Sequence, residues 1–175
     1  MMKFLLKLNQ EKAYGQIPVT DEASNLRYII KGNLDNPNHT LYLCDPNNQE
    51  IGRLYTDGTG LIASFTIDVI NHSLVSVKRL NVLTNANLFY ITRLNYVVTG
   101  SIKNGTYTFR NGIKKVAGVQ TFMNASGVLL QCDIDLPEDT PFILLITVLF
   151  TQWHIKPLKL PSITGLNRKL STDLS

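Results

Sequence analysis

Seven basic side chains between residues 78 and 115 lie on or near predicted strands, and their chemistry suits the binding of phosphate groups. If a closed barrel turns them outward, together they form a patch of positive potential for an anionic ligand. The alternative is that they are scattered charges that keep a barrel soluble. The candidate residues are Lys78, Arg79, Arg93, Lys103, Arg110, Lys114 and Lys115.

Carboxylates are concentrated just before the predicted C-terminal helix. Asp133 and Asp135 share one strand face, and Glu138 and Asp139 follow them closely. Oxygen clusters of this kind can hold calcium or magnesium, although this spacing matches no known metal-binding loop. Solvated carboxylates beside a helix N-terminus explain the same residues without a metal, because they complement the helix dipole. We therefore predict no metal site.

Two further motifs give weaker signals of chemistry. Residues 58–63 fit the G-x-G-x-x-A pattern of dinucleotide sites, but a strand follows them where such a site needs a helix, so we interpret them as a hairpin turn. His39, His72 and His154 lie in no H-E-x-x-H motif, and no G-x-S-x-G motif is present. His154 is expected to interact with the last carbonyl groups of the helix. We predict a protein without enzymatic activity, catalytic residues or cofactor.

Charge and cysteine usage argue against several classes of protein. The chain has 17 basic and 13 acidic residues, a net charge of +4 that we expect to be spread over the sequence, whereas nucleic-acid binders usually concentrate basic residues more strongly. Cys44 and Cys132 are far apart and lack C-x-x-C spacing, so we predict two free buried thiols. The apolar run near the start ends after three residues, too few for a signal peptide, which predicts a cytoplasmic protein.

Short runs of strand-forming residues, separated by turn residues, occupy residues 26–135 and predict antiparallel strands. Polar and apolar side chains alternate in residues 61–69, so one face of this strand is expected to be buried. The pairs Asp57–Gly58, Asn104–Gly105 and Asn111–Gly112 predict type I′ hairpin turns, because these residue types tolerate a positive φ. Antiparallel hairpins should therefore dominate the fold.

An internal repeat divides the predicted strands into two halves. Residues 26–32 match residues 94–100, and both segments contain Tyr-x-x-x-Gly. The match continues in other strands, where residues 4–8, 40–43 and 51–52 correspond to residues 88–93, 106–109 and 117–118. Two such half-sheets can close on each other, which removes their exposed edges.

Residues 141–155 are apolar on all sides and break the strand pattern. Thr140 as N-cap and Pro141 at the first helical position predict that this segment is a helix. Its length of about 22 Å is short of the ~30 Å hydrocarbon core of a bilayer. Enclosure by other elements explains both this length and the all-round hydrophobicity. We therefore predict a mainly β fold, a closed barrel of about twelve antiparallel strands around a central helix at residues 139–155.

We predict that residues 1–156 form one domain and that residues 157–175 form a basic tail that contains prolines.

The repeated Tyr-x-x-x-Gly strands at Tyr28–Gly32 and Tyr96–Gly100, followed by hairpins and a terminal apolar segment, resemble the LURP-one-related family. That family belongs to the tubby C-terminal-like superfamily, which also contains the phospholipid scramblases. The resemblance covers about residues 3–155 and implies a closed twelve-stranded barrel threaded by a central helix.

The resemblance also bears on possible ligands. Tubby proteins bind phosphoinositides through a basic pair on one strand, and this sequence has no unambiguous match to that pair. Lipid binding is therefore implied by the resemblance alone. Bacterial members of the LURP-one-related family are short single-domain proteins, as this chain is expected to be.

These observations predict a non-enzymatic cytoplasmic module, peripheral to the membrane if it contacts one, that binds a ligand or has a regulatory role. Its basic outer face is expected to recognise anionic lipid head groups or another phosphorylated ligand. One alternative is a scramblase-like protein, which would require the helix to enter a membrane. Another is a structural or regulatory protein that acts only through a protein partner. Nucleic acid is not favoured as a partner.

Overall fold

Twelve strands and one α-helix make up the described part of the computed structural model, which comprises residues 1–8, 14–33, 40–56, 64–80, 88–124 and 127–155. The predicted tail, residues 157–175, lies outside the described residues. A 3₁₀ turn, Pro137–Asp139, leads into the helix α1, Thr140–Ile155. The strands are β1 (Met2–Leu8), β2 (Tyr14–Asp21), β3 (Leu26–Asn33), β4 (Leu41–Cys44), β5 (Glu50–Thr56), β6 (Ser64–Val69), β7 (Val75–Arg79), β8 (Phe89–Ile91), β9 (Tyr96–Ser101), β10 (Thr106–Asn111), β11 (Lys114–Asn124) and β12 (Gly127–Ile134).

The sheet is a closed barrel. Each strand pairs in antiparallel fashion with its neighbours in sequence, and β1 also pairs with β12. The seam between these two strands runs from Met2 opposite Ile134 to Leu8 opposite Val128. Closure gives every strand a partner on both sides, which removes the open edges that promote aggregation. The predicted closed, antiparallel, twelve-stranded barrel is confirmed.

The up-and-down order of the strands gives the barrel two distinct ends. One end consists of the turns that follow β2, β4, β6, β8 and β10, together with the segment that connects β12 to the helix. We call it the helix-entry end, because α1 begins there, and we call the opposite end the helix-exit end. Neighbouring turns at one end are separated by two strand spacings, or about 10 Å.

Helix α1 lies inside the barrel. Its residues 142–150 are all buried. The ring of Phe150 contacts the rings of Phe89 on β8 and Tyr107 on β10, with centroid distances of 4.7 and 5.4 Å. The helix also packs against β4, β5, β6 and β12. Strands on opposite sides of the barrel therefore contact the same helix, which confirms its predicted central position. No helix in the described ranges has both the length and the apolar character needed to cross a membrane.

The helix begins differently from the prediction. Thr140 has helical backbone angles, φ −52° and ψ −49°, so it is not an N-cap. The reason is that the 3₁₀ turn at Pro137 already sets helical backbone geometry, which moves the capping position to the extended residue Leu136. Leu136 has no side-chain acceptor, and no side-chain hydrogen bond caps the turn. The Thr140 hydroxyl is buried without a hydrogen-bond partner.

The internal repeat is visible in the strand pairing. Gly32 on β3 lies opposite Leu41, and Gly100 on β9 lies opposite Tyr107. The two glycines have φ angles of +146° and +123°, and a Cβ atom at either position would come within 2.7 Å of a threonine carbonyl oxygen. Because only glycine tolerates this backbone geometry and this close approach, both halves of the chain need it at the same place.

Two of the predicted correspondences within the repeat are wrong. Residues 88–93 contribute β8, which pairs with β9 as β2 pairs with β3, so their counterpart is β2 and not residues 4–8. Strand register makes Ala117, not Gly118, the counterpart of Gly52, because Gly52 lies opposite Leu43 and Ala117 lies opposite Phe109. The connection is one residue longer in the first half, since five residues separate Cys44 from its partner Glu50 and four separate Arg110 from Lys115, and this difference shifts a match made on sequence alone.

The predicted type I′ turns are not observed at two of the three positions. In Asn104–Gly105 and Asn111–Gly112, only the glycine has a positive φ, +60° and +56°, whereas a type I′ turn requires it at both central residues. The amide of Asn104 instead donates a 3.1 Å hydrogen bond to the Ser101 carbonyl. The third pair, Asp57–Gly58, lies outside the described residues.

Candidate anion-binding face

The net positive charge is not spread evenly over the chain, and the expectation that it is spread evenly is wrong. Residues 69–132 contain seven Lys and Arg residues and neither Asp nor Glu, whereas the rest of the chain carries ten basic and thirteen acidic residues. This acid-free segment forms β7 to β11 and most of β12, which are consecutive strands in the barrel. One side of the barrel is therefore positively charged, and the other side carries the acidic residues.

Strand register arranges part of this charge in a row across the barrel. Lys78 lies opposite Tyr90, Tyr90 opposite Val97, Val97 opposite Arg110, and Arg110 opposite Lys115. Residues directly opposite in an antiparallel sheet point to the same face. Each of these residues has a buried core residue next to it on its strand, so the row faces outward; these buried neighbours include Val77, Phe89, Tyr96, Phe109 and Val116. With a strand spacing of about 4.8 Å, the row spans about 19 Å from β7 to β11.

We call the outer surface of β7–β11 that carries Lys78, Arg110 and Lys115 the basic face. Two aromatic or aliphatic residues, Tyr90 and Val97, separate the first cation from the other two. Tyr90 is half-buried and its hydroxyl donates a 2.8 Å hydrogen bond to Asn95. The row is therefore a strip of cations with an apolar centre, and sequence inspection did not single out Tyr90 or Val97 as part of it.

A β-bulge decides the orientation of Lys115. The pairing of β10 with β11 shifts after Phe109, so Phe109 lies opposite Ala117 while Arg110 lies opposite Lys115. Without the bulge, Lys115 and Ala117 would share a face, because they are two residues apart. With it, Ala117 is buried in the core and Lys115 is exposed. The bulge thereby places two cations side by side, at a Cα separation of about 5 Å.

One local feature holds Arg110, and another leaves room for Lys115. The Arg110 guanidinium donates a 3.0 Å hydrogen bond through Nη1 to the carbonyl oxygen of Ile113, in the hairpin turn that follows β10. The Lys115 side chain lies over Gly118, where a Cβ atom would come within 2.8 Å of both its Cε and its Nζ. Gly118 therefore leaves room for the lysine side chain. Sequence reasoning missed this role, because the two residues meet only through the bulged geometry.

The other four candidates have different positions. Arg93, in the turn between β8 and β9, and Lys114 are exposed at the helix-entry end, next to the basic face. Lys103 is exposed in the turn between β9 and β10, at the helix-exit end. Arg79 lies opposite the buried Phe89 and has a buried Nε, so it is on the inner side of the sheet. The structure therefore does not bring Lys103 or Arg79 into the basic face.

Carboxylates neutralise cations on the opposite side of the barrel. Within the described ranges, three ion pairs of up to 4.0 Å join residues on or beside β1 to β5, and Lys78, Arg110 and Lys115 take part in none of them. The pairs are Lys3–Glu22 at 2.5 Å, Arg27–Asp21 at 3.8 Å and Arg53–Glu50 at 2.7 Å. The positive charge of the basic face is thus available to an external anion.

A second constellation lies at the helix-entry end. Asp139 is buried and accepts a 2.6 Å hydrogen bond from the hydroxyl of Tyr96 on β9. Burial is the main cause that raises the pKa of Asp139 above that of an exposed carboxyl; Glu138 adds to this, whereas the Tyr96 hydrogen bond and His72 oppose it. Burial also raises the pKa of Tyr96. This pair links the barrel wall to the start of the helix.

No cluster of three potential metal ligands occurs in the part of the chain that the structure describes. Asp133 accepts a 3.0 Å hydrogen bond from Gln131, and Asp135 is exposed, whereas Asp139 is buried with Tyr96. The ring of His72 packs edge-on against Phe142, 5.4 Å away. His39, the side chain of His154 and the motif at residues 58–63 lie outside the described residues.

The two cysteines are free and buried, as predicted. Cys132 belongs to the core of the barrel, and burial raises the pKa of its thiol to about 12. The thiolate is the reactive form of cysteine, so a thiol with this pKa is chemically inert at neutral pH.

Comparison with known proteins gives one structural similarity. No protein-family model and no curated protein sequence match the chain. A solved structure of a LURP-one-related protein from Arabidopsis thaliana, AT5G01750, has a similar fold, with a TM-score of 0.57 over 86% of this chain and 89% of that protein. The two sequences are 15% identical over this alignment. At this level of identity, the similarity supports the shared barrel fold and carries no information about ligand or activity.

Proposed function

We propose that this protein is a non-enzymatic binding module whose basic face recognises phosphate-bearing anions, either soluble ligands or the head groups of anionic lipids. The observation that carries this proposal is the acid-free half of the barrel, with Lys78, Arg110 and Lys115 in one outward-facing row. The proposal includes a cytoplasmic location, peripheral to the membrane when the ligand is a lipid. It also includes remote kinship to the LURP-one-related family, which is supported by the similar fold and the repeated glycine geometry.

Physical reasons favour an anion with several charges. Cations that are not neutralised by neighbouring carboxylates sum to a positive surface potential, which attracts anions over about 8 Å at physiological ionic strength. Arg110 supplies a planar fork of donors, and the two lysines supply point charges, so the row combines both modes of phosphate binding. The row spans about 19 Å of convex surface. An extended or multivalent anion can therefore reach more of these cations at once than a single phosphate ion can.

The scramblase-like alternative is disfavoured by the position of the helix. For α1 to enter a membrane, it would have to leave the barrel and take its buried residues 142–150 out of the core. Each large apolar side chain of the core contributes about 1.5–3 kcal/mol when buried. Removal of the helix would therefore dismantle the fold, whereas a ligand can bind the basic face without any such change.

Two charge variants with the same net charge test the proposal. The face variant replaces Lys78, Arg110 and Lys115 with Gln. The control variant replaces Lys7, Lys31 and Arg53, which lie on β1, β3 and β5, with Gln as well. Binding would be measured by calorimetry with inositol hexakisphosphate and by co-sedimentation with vesicles of phosphatidylcholine and phosphatidylserine. Each basic residue near an anionic surface contributes about 1 kcal/mol, so the face variant should lose on the order of 100-fold in affinity.

The control variant should retain most of the wild-type affinity, because its net charge is the same and only the location of the change differs. Wild-type binding should also weaken as salt is added, since screening acts on exposed charges. Absence of wild-type binding to both probes would refute the proposal. Equal losses in the two variants would show that only net charge matters and would refute a defined basic face.

A further inference from the structure

An isoleucine at the tip of a hairpin is almost fully exposed. Ile113 follows Gly112 in the turn between β10 and β11, and 97% of its surface is accessible. Arg110 donates a hydrogen bond to its carbonyl oxygen, and Lys114 follows it directly. The turn therefore presents a large apolar side chain on a held backbone, with cations on both sides.

Two neighbouring turns at the helix-entry end add exposed apolar or basic side chains. The turn between β6 and β7 exposes Ile70 at 58% and Leu74 at 51%, and the turn between β8 and β9 carries the exposed Arg93. We call residues 70–74, 92–95 and 111–114 the rim. The rim itself contains no Asp or Glu, and its last part adjoins Arg110 and Lys115 of the basic face; the exposed Asp135 and Glu138 lie outside it, in the segment that leads into α1 at the same end.

This combination limits the kind of partner that fits. The apolar tips of the β6–β7 and β10–β11 turns are four strand spacings, or about 19 Å, apart along one end of the barrel, and Arg93 lies in the turn between them. A protein partner would have to accommodate two apolar tips about 19 Å apart and also provide carboxylates for the cations between and beside them. A planar anionic bilayer can receive both apolar tips without a shaped pocket, with acyl chains for the apolar groups and phosphates for the basic ones.

We propose that the rim docks on an anionic lipid bilayer, with Ile113 inserted at the boundary between head groups and acyl chains. Ile70 and Leu74 make the second apolar contact, and Arg93 and Lys114 bind lipid phosphates. Long basic side chains can reach the head groups while apolar neighbours lie deeper. The inference rests on the proposed function and narrows it, because it assigns the phosphate to a lipid rather than to a soluble ligand.

Substitution of Ile113 separates membrane docking from anion binding. I113S should reduce binding to vesicles of phosphatidylcholine and phosphatidylserine by about tenfold, because burial of one isoleucine side chain contributes at least this much to affinity. Its affinity for inositol hexakisphosphate should equal that of the wild type. M123S is the matched control, since Met123 is 82% exposed on β11 at the helix-exit end, and it should bind vesicles like the wild type.

A fluorescent probe at the same position tests insertion directly. I113W should bind the anionic vesicles at least as tightly as the wild type, because tryptophan favours the membrane interface. Lipids with brominated acyl chains should quench its emission, with the wild-type protein as the background for the native Trp153. Because Ile113 and Met123 are both highly exposed, I113S, I113W and M123S should all unfold at the wild-type temperature.

The outcomes distinguish this inference from the proposed function. If I113S binds anionic vesicles as the wild type does and I113W is not quenched, the membrane-docking rim is wrong, although anion binding by the basic face stands. If the wild type binds inositol hexakisphosphate but no vesicles, the anion is soluble and the rim is again wrong. Loss of binding to both probes in the wild type overturns both proposals together.

Discussion

The hydroxyl of Tyr96 donates a 2.6 Å hydrogen bond to Oδ2 of Asp139, across 43 residues of sequence. Tyr96 is the first residue of β9, and Asp139 is the last residue of the 3₁₀ turn before α1. Both side chains are buried, so the bond is shielded from water. It ties the start of the central helix to the wall of the barrel, and it gives the helix-entry end a defined polar contact.

Removal of this donor should destabilise the protein. Y96F leaves the buried Asp139 carboxylate without the hydroxyl, and hydrogen bonds to charged groups contribute about 1.5–3 kcal/mol. The free energy of unfolding in urea should fall by this amount. Y90F is the control, because the hydroxyl of Tyr90 bonds to Asn95 at an exposed site, and its loss should stay below about 0.5 kcal/mol. Equal effects of both variants would contradict the assigned role.

The pH dependence of stability should report the burial of Asp139. Burial raises the pKa of this carboxyl, so the folded protein holds the proton more tightly than the unfolded chain. The stabilising contribution is therefore full below the unfolded pKa of about 3.9 and is lost as the pH rises through the folded pKa. Relative to the wild type, D139N should become progressively more stable as the pH rises from acid to neutral.

Asp21 provides a control of opposite sign for this measurement. Hydrogen bonds from Asn25 lower the pKa of Asp21, so its contribution to stability is present above the unfolded pKa and is lost as the pH falls. Relative to the wild type, D21N should become less stable as the pH rises. Urea unfolding at several pH values gives both differences, and a D139N difference that does not change with pH would contradict the prediction.

Substitution of the repeated glycines should destabilise both halves of the barrel. In G32A and G100A, the new Cβ atom would lie 2.7 Å from a carbonyl oxygen, at a φ that L-residues rarely adopt. Backbone strain and overpacking together should lower the free energy of unfolding by about 3 kcal/mol or more. G112A is the control, because its φ is also positive but no atom lies within 4 Å, and it should cost about 1 kcal/mol. Thermal or urea unfolding compares the three.

The start of the helix can be tested at Thr140. If this residue were an N-cap, its replacement would cost about 0.5–2 kcal/mol. The structure shows a buried hydroxyl without a partner, so T140V should leave stability unchanged or raise it by about 1 kcal/mol. The sign of the change in unfolding free energy decides between the two descriptions. A clear loss of stability would restore the capping role.

Several features of the fold follow from local sequence patterns. The alternation around Phe65, Ile67 and Val69 predicted a strand with one buried face, and these three side chains are buried. The buried helix was predictable from residues 141–155, because a helix that is apolar on all sides is buried by other elements. The concentration of charge in residues 69–132 could also have been found in the sequence, by counting acidic residues along the chain as well as basic runs.

The composition of the candidate site depended on geometry that local patterns do not contain. The sequence did not show which of the adjacent residues Lys78 and Arg79 points to the inner side of β7, because both are basic. The register places Arg79 there. It also did not show that Lys103 lies at the opposite end of the barrel from Lys114. Successive side chains of a strand point to opposite faces of the sheet. Basic residues can therefore be assigned to one surface only when the strand register is known.

By itself, the sequence determined that the chain forms a repeated antiparallel β-structure with one enclosed helix, because residue periodicity and turn chemistry act over short distances. Only the tertiary structure decided which cations meet. Closure and register placed Lys78 in a row with Arg110, and the bulge after Phe109 turned Lys115 outward beside it. These relationships join residues on five strands and arise from backbone hydrogen bonding between them, which no local pattern of side chains specifies.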